Sequence, residues 1–524
     1  VAGLPLQPSD DAKHPLAQWL LNQPQLQLRQ ARLSWREHAS EPVEWLNQVD
    51  LEMSAGLFQH RFNLRATPAL ADMGQRFGAM GRFSEPLFTG RSGDPSTWQG
   101  EVYLEASELS AKPWFARWQL KAPIEFNAKA AVRAWFTVDA GEIRRADVDL
   151  QTDHLQLNWP QRSRELSLHH IQGRVTYTQD KGGVVQGIKT DDLRFETATG
   201  EPWPRTSLSL NWSQTEAGDI KSIAVQAARI DLSVLSNLAH GLELRHDELK
   251  ALDKLKLDGQ IKDLALSWEL AQPNKPPKYA IKATGTQLRW AAVETGMAGL
   301  PWIPGLTSAN AELTIQEGEG RLNLKIDRGE VHLPGLLAEA RVPIDAAQLA
   351  VKWHHDAKGT EVEFLPSQVS NRDLRGSWQG SWKRDPSTSA LGRLSLSAEI
   401  QEAQANRVFR YLPSSLPADV IRYVQQTVRA GKVSQAKFEV KGDLDRFPFA
   451  NSKDERFEVK AKLLDLVYQY VPDIRGQALQ WPGFANLDAD FDIKGLSMAI
   501  RKASAKVVGT VSVGSAPWGI VAVP

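Results

Sequence analysis

Cysteine is absent from all 524 residues of the chain. The protein therefore has no disulfide, no thiolate nucleophile and no cysteine-ligated metal, and it suits an oxidising compartment in which stray thiols would react. Net charge is absent too, because 62 Lys and Arg residues balance 62 Asp and Glu residues. No overall field attracts nucleic acid or an anionic surface, so we expect no nucleic-acid partner.

Long apolar segments are also missing. The chain opens at Val1 with neither a basic flank nor an apolar stretch of signal length. Two uncharged runs, 295–311 and 507–524, are interrupted by proline and glycine. They favour strands and turns over membrane spans. We expect the chain to be a processed or excised section of a larger protein, and its length predicts several domains or one extended architecture.

Catalytic and metal-binding motifs are equally scarce. The sequence has no phosphate-binding glycine loop, no His-Glu-x-x-His and no Gly-x-Ser-x-Gly nucleophile turn. The histidine pairs at 169–170 and 354–355 would point to opposite faces of a strand, which disfavours a shared metal. The acidic row Asp488, Asp490 and Asp492 is interpreted as a solvated face. We therefore predict no enzyme activity, no cofactor and no metal site.

What the sequence does contain is an alternation of apolar and polar residues with a period of two. The alternation recurs along the chain, for example at 148–150, 322–326 and 487–493. It places one apolar and one polar row on opposite faces of a strand. Strands buried on both faces would instead read as continuous apolar runs, so the pattern predicts an antiparallel sheet with one solvated face. Glycine-containing turns, as at 317–320, predict hairpins between the strands.

Helical character is confined to three segments, 67–80, 231–257 and 417–430. Each has apolar residues spaced three or four apart, and we interpret them as caps over the sheet. Shifts in composition at 272–278 and 385–390 mark two possible seams. Both segments are too short to be free linkers, so we read 1–524 as one continuous β section with loops at these positions.

The sheet implied by this pattern is too wide to stay flat. About 35 strands, one per about 15 residues and spaced about 4.8 Å apart, would extend about 150 Å. Open sheets of that width curl, split or close. Either the apolar faces pack on each other in several sandwich domains, or the sheet curves into a trough whose lining stays accessible. Because most apolar rows are core, composition by itself favours the sandwiches.

Eighteen tryptophans raise the alternative of a polysaccharide-binding protein. Glycoside hydrolases use paired carboxylates, and carboxylates are plentiful here. The aromatic residues, however, are expected on the apolar rows, as with Trp212 after Leu208 and Leu210. A platform for sugars would need exposed rings, so the tryptophans do not favour this alternative.

An ordered set of short motifs in the second half of the chain resembles a known family. The motifs are Arg410-Tyr411-Leu412-Pro413, a helix ending before Gly431, the stretch 442–449, Tyr470-Val471-Pro472 and Trp481-Pro482. A preceding unit, 302–353, combines an apolar strand, a charged turn and a strand ending in Trp. From about residue 4 to the end, the chain is similar to the AsmA-like envelope proteins of Gram-negative bacteria, and most closely to the YhdP-type members related to TamB.

The resemblance implies both a fold and a function. The implied fold is mainly β: a long, curved, twisted antiparallel sheet forming a U-shaped, taco-like apolar groove with a few short helices. The implied function is that of a periplasmic bridge-like lipid-transfer protein, whose groove carries phospholipid acyl chains between the inner and outer membranes. Such a protein is anchored in the inner membrane by an N-terminal helix that this chain does not contain, and it meets envelope partners at its ends.

Two alternatives stay open beside lipid transfer. The first is a scaffold that pairs its sheet edges with outer-membrane proteins, as TamB-type proteins have been proposed to do. The second is the polysaccharide-binding β-protein.

Alternation assigns the residues of the predicted groove lining. They are the apolar members of strand-like segments in which the neighbouring residues are polar. The predicted lipid-binding residues are Leu155, Leu157, Leu208, Leu210, Leu264, Leu266, Leu322, Leu324, Ile326, Phe438, Val440, Phe457, Val459 and Phe491. Lys325 and Asp488 are predicted to lie on the opposite, solvated face.

Overall fold

A computed structural model of the protein describes most of the chain. The described residues are 23–35, 44–56, 59–85, 97–110, 112–113, 125–158, 165–215, 218–241, 253–270, 277–297, 300–356, 358–385, 387, 389–447, 449, 454–470, 483–495, 497–508, 511–513 and 516–518. Of the motifs named above, Val471-Pro472 and Trp481-Pro482 lie outside these ranges.

The described residues form a mainly β protein in which 23 strands belong to one antiparallel sheet. The strands of the first half are β1 (Gln25–Trp35), β2 (Glu44–Ala55), β3 (Gln59–Pro68), β4 (Phe77–Ser84), β5 (Gln99–Ser110), β6 (Glu125–Asp139), β7 (Glu142–Asn158), β8 (Glu165–Gln179), β9 (Val185–Thr197), β10 (Pro202–Gln214), β11 (Ile220–Asp231), β12 (Asp258–Glu269) and β13 (Lys278–Trp290).

The strands of the second half are β14 (Val293–Met297), β15 (Leu300–Ile303), β16 (Gly305–Gln316), β17 (Glu319–His332), β18 (Arg341–Asp356), β19 (Gly359–Ser370), β20 (Leu374–Arg384), β21 (Arg393–Gln404), β22 (Val428–Asp443), β23 (Arg456–Gln469), β24 (Gly483–Lys494), β25 (Ser497–Val508), β26 (Val511–Val513) and β27 (Ala516–Trp518). The hairpins β14–β15 and β26–β27 stand apart from the main sheet. The predicted antiparallel, mainly β fold is confirmed.

Helices are few and short among the described residues. The α-helices are α1 (Leu232–Gly241) and α2 (Ala418–Thr427), and the 3-10 helices are Ala71–Met73, Ala405–Tyr411 and Leu444–Arg446. The α-helices fall within two of the three predicted segments. The third prediction, a helix over 67–80, is wrong: a three-residue 3-10 turn follows β3, and Phe77 already begins β4. Gly74 and Gly78 lie within the predicted segment and lower its helix propensity.

The chain divides into two compact units. The first unit comprises 1–249 and 263–278, and the second comprises 250–262 and 279–524. The chain passes from the first unit to the second between residues 278 and 279, at the end of the predicted seam 272–278. The other predicted seam, 385–390, lies inside the second unit. That the whole chain is one continuous groove section stays a prediction.

A residue in the left-handed conformation interrupts many strands. These residues are Gln30, Gln48, His170, Asp192, Asp263, Gln287, Ser308, Arg328, Gln435, Asp465, Asn486 and Lys502, with φ between 47° and 57°. The pairing register shifts beside several of them, as it does between β23 and β24 next to Asp465. An extra residue in one strand is a β-bulge, which bends the strand and increases its twist.

Side chains on the neighbouring strand hold the bulges in place. The amide of Gln30 donates to Asp50 Oδ1 at 3.0 Å, and the amide of Asp465 donates to Asp488 Oδ1 at 2.9 Å. Each acceptor lies two residues after the left-handed residue of its own strand. This bond lowers the pKa of Asp50, because it favours the ionised carboxylate. Asp488 is exposed as predicted, but it also stabilises a bend.

In β7 and β19, which have no left-handed residue of this kind, a buried hydroxyl group lies at the irregularity. Thr152 Oγ1 donates to Lys129 O at 2.8 Å and accepts from the amide of His154 at 3.3 Å. Ser367, which is fully buried, donates to Leu365 O at 2.8 Å and accepts from the amide of Ala350 at 3.2 Å. A hydroxyl group thus satisfies backbone groups that the interrupted ladder leaves unpaired.

The bends explain why the strands are longer and fewer than the sequence pattern indicates. A one-residue insertion reverses the sequence alternation while the apolar side chains stay on one face. In β7, Leu150 and Leu155 differ in alternation phase, yet both pack against the same apolar cluster. A single 17-residue strand therefore reads as two short ones.

The left-handed residue of β24 gives a test of the bends. Asn486 has φ 51°, a conformation that β-branched side chains avoid. We expect Asn486→Val to lower the free energy of unfolding of the second unit by about 1–2 kcal/mol, measured by urea denaturation. The matched variant Asn486→Gly should cost nothing, because glycine adopts positive φ freely. Equal stability of both variants would contradict the bulge.

Candidate functional site

The first unit has two rows of apolar side chains that cross all of its consecutive strands from β1 to β11. In each row the residues are direct cross-strand partners. One row is Leu28, Leu51, Leu64, Ala79, Leu104, Ala134, Val148, Val175, Thr190, Leu208 and Ala227. The other is Leu26, Met53, Phe62, Gly81, Val102, Phe136, Ala146, Tyr177, Ile188, Leu210 and Val225. Only Thr190 and the Tyr177 hydroxyl interrupt their apolar character.

The second unit repeats this arrangement. One row crosses nine strands through Ala283, Leu313, Leu322, Val351, Phe364, Gly380, Leu396, Val440 and Phe457. A neighbouring row continues to β25 through Trp378, Ala398, Phe438, Val459, Ile493 and Met498. Neighbouring side chains occupy the space beside the glycines. At Gly320, for example, an added side chain would overlap the ring of Trp353.

Most of the predicted lining residues lie on these apolar faces. Leu208, Leu210, Leu322, Phe438, Val440, Phe457 and Val459 are members of the rows above. Leu324 pairs with Leu349, Ile326 with Ala309, Phe491 with Ile500, and Leu157 with Leu166. Leu264 and Leu266 lie on β12 and are half-buried. Whether any of these side chains contacts lipid stays a prediction.

Two of the predicted residues are covered by the protein itself. Ile326 is 3% exposed and Val440 is 4% exposed. Because a ligand can only contact accessible atoms, these two positions belong to the protein core in this conformation. Leu155 is half-buried and packs on a cluster that contains Val234 of α1.

Sequence reasoning missed many members of the rows. Met53, Phe62, Phe136 and Phe364 lie on the apolar faces but were not assigned to the lining. Alanine and glycine, such as Gly380 beside Phe364, interrupt the hydrophobic alternation in the sequence. The pairing register with the neighbouring strands would have identified these residues. The sequence of a single strand does not reveal that register.

The opposite face of the first unit carries alternating charges. Cross-strand partners run from Glu105 to Arg133, Asp149, Arg174 and Asp191. Arg174 donates to both oxygens of Asp149, at 2.6 and 3.0 Å. This fork of hydrogen bonds holds the pKa of Asp149 below its usual value. The row is a solvated charge ladder, and it confirms that the two faces of the sheet differ in polarity.

Two aromatic residues lie on this polar face, which the sequence analysis did not expect. Trp135 is 39% exposed, and its ring lies 5.3 Å from that of Tyr103. The Arg174 guanidinium carbon lies 5.5 Å from the Trp135 ring centre. The expectation that aromatic residues fall on the apolar rows is therefore wrong at these positions, because Trp135 alternates with Ala134 and Phe136.

The motif beginning at Arg410 has a structural role. Arg410 donates from Nε to Glu339 Oε2 and from Nη1 to Asp373 Oδ2, each at 2.6 Å. The Tyr411 hydroxyl donates to the same Asp373 oxygen at 3.1 Å and accepts from Asn371 Nδ2 at 2.9 Å. Burial raises the pKa of Tyr411 to about 12. The network fastens the connection between β21 and β22 to the loop between β17 and β18.

The acidic row of β24 is paired with basic residues. Asp490 lies 3.5 Å from Lys502 Nζ, and Asp492 lies 3.6 Å from Arg501 Nε. Within the described ranges, no group of three or more His, Asp or Glu residues is arranged to hold a metal ion. The same part of the chain contains no helix of the length and apolarity needed to cross a membrane.

Comparison with known proteins agrees with the motif set in the second half. The sequence model of the YhdP protein family matches residues 4–516. The intermembrane phospholipid transporter YhdP of Escherichia coli (strain K12) is 23% identical over 412 residues, which are 75% of this chain and 30% of that protein. The chain thus spans less than a third of the length of this relative. No solved structure matches the chain. Because the family match covers nearly the whole sequence, the chain belongs to the YhdP family.

Proposed function

We propose that this chain is a periplasmic section of a bridge-like lipid-transfer protein and that its apolar face carries phospholipid acyl chains between the inner and outer membranes. The observation that supports the proposal best is the continuity of the apolar rows: two rows in the first unit pass through eleven strands. The similar Escherichia coli protein, an intermembrane phospholipid transporter, supports the same substrate class. An inner-membrane anchor and envelope partners also belong to the proposal.

The physical chemistry of lipids explains why such a surface would be useful. Exposing an acyl chain of about 16 carbons to water costs on the order of 10 kcal/mol, at about 0.8 kcal/mol per methylene. A row of apolar side chains that extends over many strands removes most of this cost at every step. The head groups can stay in water, so the protein needs no buried polar site for them. A lining of uniform affinity sets no direction, and direction must therefore come from elsewhere.

Native mass spectrometry of the purified chain tests the proposal. We expect mass increments of individual phospholipids, and extraction of the same sample should release them. A photoreactive residue at Leu322 or Phe457 should form lipid adducts, whereas one at Lys325, on the opposite face, should form none. Absence of lipid from the chain, together with equal labelling of both faces, would contradict the proposed function.

One observation favours the scaffold as a second candidate. Strand β25 pairs with β24 on one side, and the described residues include no strand on its other side. Its side chains Met498 and Ile500 are 68% and 52% exposed. An edge of this kind can add a strand from another protein. If a lipid-free chain bound strand-forming peptides from outer-membrane proteins, the result would support the scaffold function and contradict lipid transfer.

A further inference from the structure

The bends divide several strands, among them β7 to β10, into two arms. In β7 to β10 the long arms are 142–151, 172–179, 185–191 and 207–214, and the short arms are 153–158, 165–169, 193–197 and 202–205. The long arms of these strands meet at tight turns, such as the one at Ala140 and Gly141. Helix α1 follows β11 at the end where the short arms lie.

Helix α1 fills the apolar face of the short arms in the first unit. Its Val234 is 5% exposed and packs with Leu168, Ile171, Phe195 and Trp203, which are all 9% exposed or less. Asp231 begins the helix by accepting from the amide of Ser233 at 3.1 Å. Asn237 also donates to Glu201 in the turn between β9 and β10. The helix is therefore fixed at its start and along its length.

The second unit covers the equivalent surface with a different connection. Ala405, the first residue of the 3-10 helix between β21 and β22, is 3% exposed and packs with Leu466 and Leu487 at the bends of β23 and β24. Val428 and Tyr468 of the short arms join the same cluster. Two unrelated segments thus cover the same side of the bend in the two units.

In the first unit, well-exposed apolar side chains of this face lie on the long arms of β9 and β10. Their cross-strand partners Ile188 and Leu210 are 39% and 40% exposed. On the short arms of the same two strands, Phe195 and Trp203 are 9% and 5% exposed. An incoming acyl chain gains free energy only by covering surface that water still reaches. The part of the short arms beneath α1 offers little such surface, because the helix already covers Phe195 and Trp203.

We propose that acyl chains lie along the long arms only, because α1 covers the short arms of the first unit and the connection that begins at Ala405 packs on those of the second. This inference rests on the proposed function and narrows it to one side of the bend. It assigns Leu208 and Leu210 to the path and excludes Leu155, which packs against the cluster beneath α1. It also adds Ile188 and Val175, which sequence reasoning had not placed in the lining.

Site-specific photo-crosslinking distinguishes the two arms. A photoreactive residue would replace Ile188 or Leu210 on the long arms, Leu155 or Leu166 on the short arms, or Lys189 on the polar face. The full chain would be exposed to vesicles of phosphatidylethanolamine and phosphatidylglycerol, and lipid adducts would be counted by mass spectrometry. We expect at least about tenfold more adduct at the long-arm positions, because Leu155 and Leu166 pack against the cluster beneath α1.

The possible outcomes separate this inference from the proposed function. Equal labelling of long and short arms, with none at Lys189, would overturn the one-sided path while supporting lipid transfer. Labelling at no position would overturn both. As a second measurement, Val234→Glu should loosen α1, so adducts should appear at Leu166 while those at Ile188 persist. Persistent absence of adducts at Leu166 in a folded Val234→Glu chain would show that α1 is not what closes the short arm.

Discussion

Replacing Leu210 by glutamate is expected to weaken phospholipid binding by the first unit about 100-fold. Leu210 lies in an apolar row between Ile188 and Val225 and is 40% exposed, so a carboxylate there reaches water without unfolding the sheet. An acyl chain crossing the site would lose contact for three or four methylenes, or about 3 kcal/mol at about 0.8 kcal/mol each. Titration of the purified chain with a fluorescent phospholipid measures the loss.

The adjacent residue provides a matched control for Leu210. Ser209 is on the same strand but faces the polar side, opposite Lys189 and Gln226. Ser209→Glu adds the same charge at nearly the same place and should leave lipid affinity unchanged. If both variants lose affinity equally, net charge rather than the apolar row controls binding, and the transfer mechanism proposed above is wrong.

Removing the carboxylate of Asp373 is expected to destabilise the second unit by about 3 kcal/mol. Asp373, whose side chain is 8% exposed, accepts from both Arg410 and Tyr411. Asp373→Ala leaves Arg410 Nη1 and the hydroxyl hydrogen of Tyr411 without their acceptor in a partly buried place, and unpaired buried groups cost more than the bond itself contributed. Urea unfolding of the second unit measures the change.

A surface ion pair on α2 serves as the control for Asp373. Asp419 lies 3.5 Å from Arg422, and its side chain is 91% exposed. Exposed pairs of this kind contribute little because water and salt screen them. Asp419→Ala should therefore leave the unfolding curve nearly unchanged. A similar loss in both variants would mean that the Arg410 network does not hold the 405–416 connection in place.

The alternation of side chains predicted more of this protein than any single motif did. Leu322 and Leu324 were assigned to one face from their sequence spacing, and Lys325 to the other. The register confirms this, because their partners Val351 and Leu349 are apolar. Motif searches were informative mainly by finding nothing, whereas the ordered set around Arg410 led to the family. The structure then shows that Arg410 itself binds Asp373 and Glu339.

Two of the interpretations that the structure corrects share one physical origin. The helix over 67–80 was inferred from spacing within one segment, but Phe77 pairs with Ala66 and Ala106 on neighbouring strands. The short strand assigned at Leu155 is the end of β7 beyond the bend at Thr152. In both cases, pairing with distant residues decided the local conformation, and local propensity did not.

The sequence by itself determined that this protein is an antiparallel sheet with one apolar and one polar face, because alternation along a strand depends only on neighbouring residues. Only the tertiary structure decided where the strands bend and which part of the apolar face α1 covers. A bend needs an acceptor on another strand, as Asp488 is for the amide of Asp465. Helix α1 covers part of the apolar face because Val234 packs with Phe195 and Trp203, which are far from it in sequence.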